Sequence, residues 1–99
     1  MTYTEYGGSR AGAASVGVAS AEAVPHNSIR KMLILVNDSD SPIYIHKGDG
    51  PAVVNACPRL NANGGSCTIE PDIYGRMWRG PIQAISTGAA KILTWEEDW

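Results

Sequence analysis

The sequence predicts an all-β protein: a small antiparallel β-sandwich or barrel of about seven short strands with a flexible N-terminal arm. Three observations predict it. Two stretches place turn-forming residues directly ahead of β-branched or aromatic runs, the pattern of a hairpin: Asn37-Asp38-Ser39-Asp40-Ser41-Pro42 before Ile43-Tyr44-Ile45, and Leu60-Asn61-Ala62-Asn63-Gly64-Gly65-Ser66 before Cys67-Thr68-Ile69. Short apolar runs recur at strand length along the rest of the chain. No segment sustains the apolar period of a helix.

In chain order, residues 1–15 read as the arm. Gly7-Gly8-Ser9-Arg10-Ala11-Gly12-Ala13-Ala14-Ser15 offers too little apolar area to offset its ordering entropy. It is either a disordered tail or an extended arm that orders against a neighbouring subunit, with Tyr3 and Tyr6 as anchors. The domain proper is expected over 16–95. Val16-Gly17-Val18-Ala19 opens it as a strand, and Ser20-Ala21-Glu22-Ala23-Val24 extends that strand or forms one helical turn before Pro25 ends it. Met32-Leu33-Ile34-Leu35-Val36 is apolar at every position and is expected to be a central strand covered on both faces. Ile43-Tyr44-Ile45-His46 follows as its hairpin partner. Val53-Val54-Asn55-Ala56-Cys57 is an edge strand or bulge, because Pro58 cannot donate to a ladder. Strands then fall at 66–70, 82–86 and 92–95. Residues 71–80 form a loop with several large side chains, and 96–99 form an acidic-aromatic tail.

Composition excludes several functions. The net charge is −2, from 8 basic and 10 acidic residues, with no run of Lys or Arg, so the electrostatic footprint of a nucleic-acid binder is missing. The first residues carry no basic segment followed by an apolar one, and no apolar run approaches bilayer thickness, so neither a leader nor a membrane partner is expected. His26 and His46 lack a second histidine at metal-ligand spacing, and the serines lack a nucleophile elbow, so no catalytic residue, cofactor or metal is expected. Asp38, Asp40 and Asp49 could supply oxygen ligands to calcium, although the same residues serve the turns. Cys57 and Cys67 read as reduced thiols, or as a cross-strand disulfide if 54–60 pairs with 66–70.

The aromatic residues are the remaining clue. Phenylalanine is absent, and the three tryptophans fall late, at Trp78, Trp95 and Trp99. Tyr and Trp combine an apolar face with a polar handle and are enriched at interfaces. The partner-contact candidates are therefore Tyr3 and Tyr6 in the arm, Tyr74, Arg76, Met77, Trp78 and Arg79 in the loop, and Trp95 and Trp99 around the tail. Trp95 alternatively caps the core.

The stretch 30–95 resembles a known group of proteins through Asn37-Asp38-Ser39-Asp40, Ile43-Tyr44, Gly48, Ala52-Val53, Asn55, Leu60, Gly64-Gly65-Ser66, Gly80, Ile82, Ala84-Ile85 and Lys91-Ile92-Leu93. It is similar to the small accessory proteins encoded among the virion structural genes of tailed bacteriophages. It departs from them at Cys57-Pro58, where Gly and an aliphatic residue are expected, and in the bulky loop at 74–78. The resemblance implies a non-enzymatic capsid decoration or cement protein, or another head or tail component, made in the host cytoplasm and carried on the virion. Its partners would be the major capsid protein or another virion protein, and itself as a homodimer or homotrimer. The alternative is a carbohydrate- or receptor-binding module in which Tyr74 and Trp78 stack on sugar rings.

Overall fold

The computed structural model describes residues 7–99, and it is all-β. Eight strands occur in the order β1 (Ser9–Val16), β2 (Ala21–Val24), β3 (Met32–Asn37), β4 (Ile43–Lys47), β5 (Arg59–Leu60), β6 (Ser66–Ile69), β7 (Ile82–Ser86) and β8 (Lys91–Asp98). They form two antiparallel four-stranded sheets, one ordered β1-β8-β3-β6 and the other β2-β7-β4-β5, which pack as a small sandwich. Val16, Leu33, Leu35, Ile69 and Leu93 from the first sheet meet Val24, Ile43, Ile45, Leu60 and Ile82 from the second in one buried core. Alternation along β3 sets the inner face: Leu33, Leu35 and Asn37 are buried, while Met32, Ile34 and Val36 on the outer face are only half-buried. β3 is thus central in its sheet, but the expected cover on its second face is incomplete.

The two turn clusters are present, and they are not hairpins. β3 and β4 lie in different sheets, as do β5 and β6, so the turns at 38–42 and 61–65 arch from one layer to the other. Turn chemistry states that the chain reverses; it does not state whether the partner lies beside the strand or across the core. The two arches also brace each other. Asn37 donates its backbone N–H to Gly65 O at 2.8 Å and accepts from Gly64 N–H at 2.8 Å, and Asn63 N–H reaches Ser39 O at 2.7 Å. The buried Asn37 amide donates to Ser41 O at 2.8 Å and Leu60 O at 2.9 Å, and its oxygen accepts from Ser39 Oγ at 2.6 Å. Asn63 at φ +60° and Gly64 at φ +110° supply the left-handed geometry the second arch needs.

Both chain ends differ from expectation. Residues 9–15, read as part of the flexible arm, form β1 together with Val16, paired along its length with β8 from Ser9↔Asp98 to Val16↔Lys91. Its small side chains hold it weakly by propensity, but eight registered residues satisfy its backbone, and Gly12 admits the Trp95 ring, whose carbons would lie 2.6 Å from a Cβ there. Residues 96–98, read as a tail, are the last part of β8, paired to β3 on the other side through Ile34↔Glu96 and Leu33↔Glu97. Tyr3 and Tyr6 lie outside the described residues.

Residues 53–57 form a turn instead of the edge strand expected there, with Ala56 and Cys57 N–H bonded to Val53 O at 3.2 and 3.0 Å. This turn covers the outer face of β4: Tyr44 is buried and donates its hydroxyl to Asn55 Oδ1 at 2.8 Å. Cys57 and Cys67 are free thiols, and the strand pairing that a disulfide would have required does not form, because β5 and β6 belong to opposite sheets.

Candidate functional site

The loop between β6 and β7 and the groove beside it form the most distinctive surface. Asp72 organises the loop tip. Its Oδ1 accepts the N–H groups of Tyr74 at 2.8 Å and Arg76 at 2.9 Å, and its Oδ2 accepts Arg76 Nε at 2.6 Å. Its own N–H reaches Arg76 O at 3.0 Å, and Gly75 turns the chain at φ +78°. The Arg76 backbone N–H, acting against a smaller effect of burial, holds the Asp72 carboxyl below its ordinary value, helped by the Arg76 guanidinium and the Tyr74 N–H. The Arg76 guanidinium lies 5.2 Å from the Tyr74 ring centroid, in cation–π range.

From this fixed turn the side chains divide. Ile73 is 91% exposed and Tyr74 76%. Met77 and Trp78 turn inward against the core, and the Trp78 indole N–H donates to Pro81 O at 3.1 Å. Arg79 donates to Arg30 O at 2.8 Å. Of the loop residues expected to contact a partner, Tyr74 and Arg76 stand out in solvent, while Met77, Trp78 and Arg79 are half-buried and tie the loop down. Tyr74 stands on the exposed tip, whereas Trp78 lies half-buried against the core. Ile73 was missed from sequence, where the aromatic and basic residues of the loop and Met77 were singled out.

A groove of about 460 Å³ runs between β4 and β6, lined by Ile45, Pro58, Cys67 and Ile69, with Lys47 and Glu70 at its edge. It is open because β5 pairs with β4 only at Ile43 and Tyr44, which leaves the later part of β4 without a strand on that side.

The residues expected at the C-terminus pack within their own chain. Trp95 is half-buried against the core, with the Arg10 guanidinium 5.6 Å from its ring centroid. Trp99 N–H donates to Gly8 O at 3.0 Å, Trp99 O accepts Gly8 N–H at 3.0 Å, and the indole lies so close that a Cβ on Gly8 would meet it at 2.8 Å.

Glu97 is fully buried, a placement its position among Glu96, Asp98 and two tryptophans concealed. Its carboxylate accepts from Arg30 Nε at 2.7 Å and from Arg10 Nε at 2.5 Å. Arg30, also fully buried, donates further to Pro25 O at 2.7 Å, Gly80 O at 3.0 Å and Trp78 O at 3.3 Å. Burial pushes the Glu97 carboxyl up, but the hydrogen bonds from Arg30, Arg10 and Asn27, with the Arg30 charge, outweigh it and hold the group below its ordinary value. With every charge partnered, the network reads as a structural clamp between β8, the 78–80 segment and Pro25, not as a poised acid or base.

Asp40 bonds Lys91 Nζ at 2.6 Å, and that hydrogen bond and charge hold its carboxyl below the ordinary value. Among the described residues, no group of three or more His, Cys, Asp or Glu side chains is placed to hold a metal ion. Comparison with protein-family models, with curated proteins and with solved structures finds no match to this chain.

Proposed function

We propose that this protein is a non-enzymatic binding protein of a bacteriophage virion, a decoration or cement protein that attaches to the major capsid protein shell as a homo-oligomer. The observation that carries the binding role is the rigid loop tip, which holds Ile73 and Tyr74 in solvent at 91% and 76% exposure. Exposed large apolar side chains on a preorganised turn are the anchors of an interface. The outer face of β3, with Met32, Ile34 and Val36 half-exposed, adds a second surface short of cover. The virion setting is supported by the resemblance of residues 30–95 described above.

Such a protein needs no chemistry. It binds the assembled lattice and not the free shell subunits, and so stabilises the lattice by RT ln(1 + [L]/Kd), about 2.7 kcal/mol when its concentration is 100 times Kd. Oligomeric valency raises the effective affinity further. The test is thermal release of nucleic acid from particles of the encoding phage, prepared without the protein and then titrated with it. The release temperature is expected to rise and then saturate; unchanged release at tens of micromolar added protein would contradict the cement role.

A further inference from the structure

The β6–β7 loop presents an exposed apolar tip, and the groove beside it presents an apolar wall. Ile73 and Tyr74 are the two most exposed large apolar side chains among the described residues, and neither lines the groove of its own molecule. The tip is stiff before any partner arrives, because the Asp72 hydrogen bonds and the Arg76 stack fix it. A fixed tip loses little conformational freedom on docking. The groove, at about 460 Å³ and walled by Ile45, Pro58, Cys67 and Ile69, falls in the size range of sites that take up compact apolar groups.

Both features flank one strand. The groove runs along β6, the edge strand of its sheet, and the tip follows directly after that strand ends. A knob and a hole on the same patch satisfy a two-fold axis, because the patch then meets itself and each contact is made twice. The charges permit the same arrangement: Lys47 and Glu70 line the groove, and Asp72 and Arg76 at the tip pair with each other, so neither side sets a net charge against the other.

We propose that the occupant is a second copy of this chain, docked as a two-fold dimer with the Ile73–Tyr74 tip of each copy seated in the groove of the other. The proposal rests on the self-association part of the reading above and not on the virion setting.

Cys67 in the groove wall provides a direct test. In a Cys57→Ser background, Ile73→Cys is expected to give a covalent dimer on mild oxidation, through a disulfide to the partner's Cys67, and adding Cys67→Ser is expected to abolish it. Sedimentation of the wild-type protein at about 100 μM should show the dimer, and Ile73→Ser with Tyr74→Ser should weaken it at least about tenfold, the effect of losing an anchor residue. Both positions are exposed, so circular dichroism should be unchanged. A wild-type monomer at that concentration would overturn self-association altogether. A wild-type dimer indifferent to the tip variants, or a cross-link that survives Cys67→Ser, would overturn the proposed surface alone.

Discussion

At the scale of single residues, the Arg30–Glu97 pair carries the largest individual stake. Both side chains are fully buried, and each is the charge that justifies the other's burial. Removing one partner of such a pair costs roughly 3–5 kcal/mol, because the remaining charge is left in a poor dielectric. Glu97→Gln keeps the shape and removes the charge, so it is expected to lower stability at pH 7 by about that amount in chemical denaturation. The pH dependence has a definite sign. Glu97 titrates below its ordinary value of 4.5 in the folded state, so its contribution is complete above pH 4.5 and is lost as pH falls through the lowered folded value. Wild-type stability should therefore decline on acidification below that point, and the deficit of Glu97→Gln should narrow there. A deficit that stays constant with pH would show that the titrating charge of Glu97 is not its source. The sequence could not place this residue. Its partner stands 67 positions away, and a Glu between Glu96 and Asp98 carries the local appearance of a solvated tail.

At the scale of elements, β3, β4, β6 and β7 were legible because β-branched and apolar residues form compact runs bounded by turn residues. β1 was not, since Ala, Gly and Ser carry almost no strand preference and the strand exists through its register with β8. The same pairing defines the end of β8. Residues that look like an acidic tail alternate, with Glu96 exposed, Glu97 buried and Asp98 half-buried, as a half-buried strand requires. Deleting residues 96–99 would remove the Glu97 carboxylate, the cross-strand bonds around Glu96 and the Trp99 contact with Gly8 in one step. The truncated protein is expected to unfold at substantially lower denaturant, with loss of at least the roughly 3–5 kcal/mol assigned to the ion pair. An unaltered unfolding midpoint would mean that the β8 end is dispensable to the fold. The turns were located correctly by their residues, but whether they joined neighbours or crossed the core depended on which sheet each strand entered. That choice is made by the packing of Leu33, Leu35, Ile43 and Ile45 in a common interior, not by the turn itself.

At the scale of the whole molecule, the sandwich uses its charged network internally and leaves apolar side chains outside. Arg30, Glu97 and Arg10 clamp one end, and Asn37 with the two interlocked arches fixes the other. At the clamped end the β6–β7 loop is held by Met77 and Trp78 on its inner side and by Asp72 at its tip. A frame this thoroughly tied holds Ile73 and Tyr74 in solvent in one arrangement, as the proposed binding role requires. The sequence showed that this loop carries several large side chains. It did not show that the tryptophan points in and the isoleucine out, because a loop has no period from which to read a face. The most direct measurement of the central claim is quantitative mass spectrometry of virions purified from a culture in which this gene is expressed from its native genome. The protein is expected in fixed, high-copy proportion to the major capsid protein after gradient purification. Particles that carry none of it, with the protein left entirely in the host lysate, would rule out the proposed virion role.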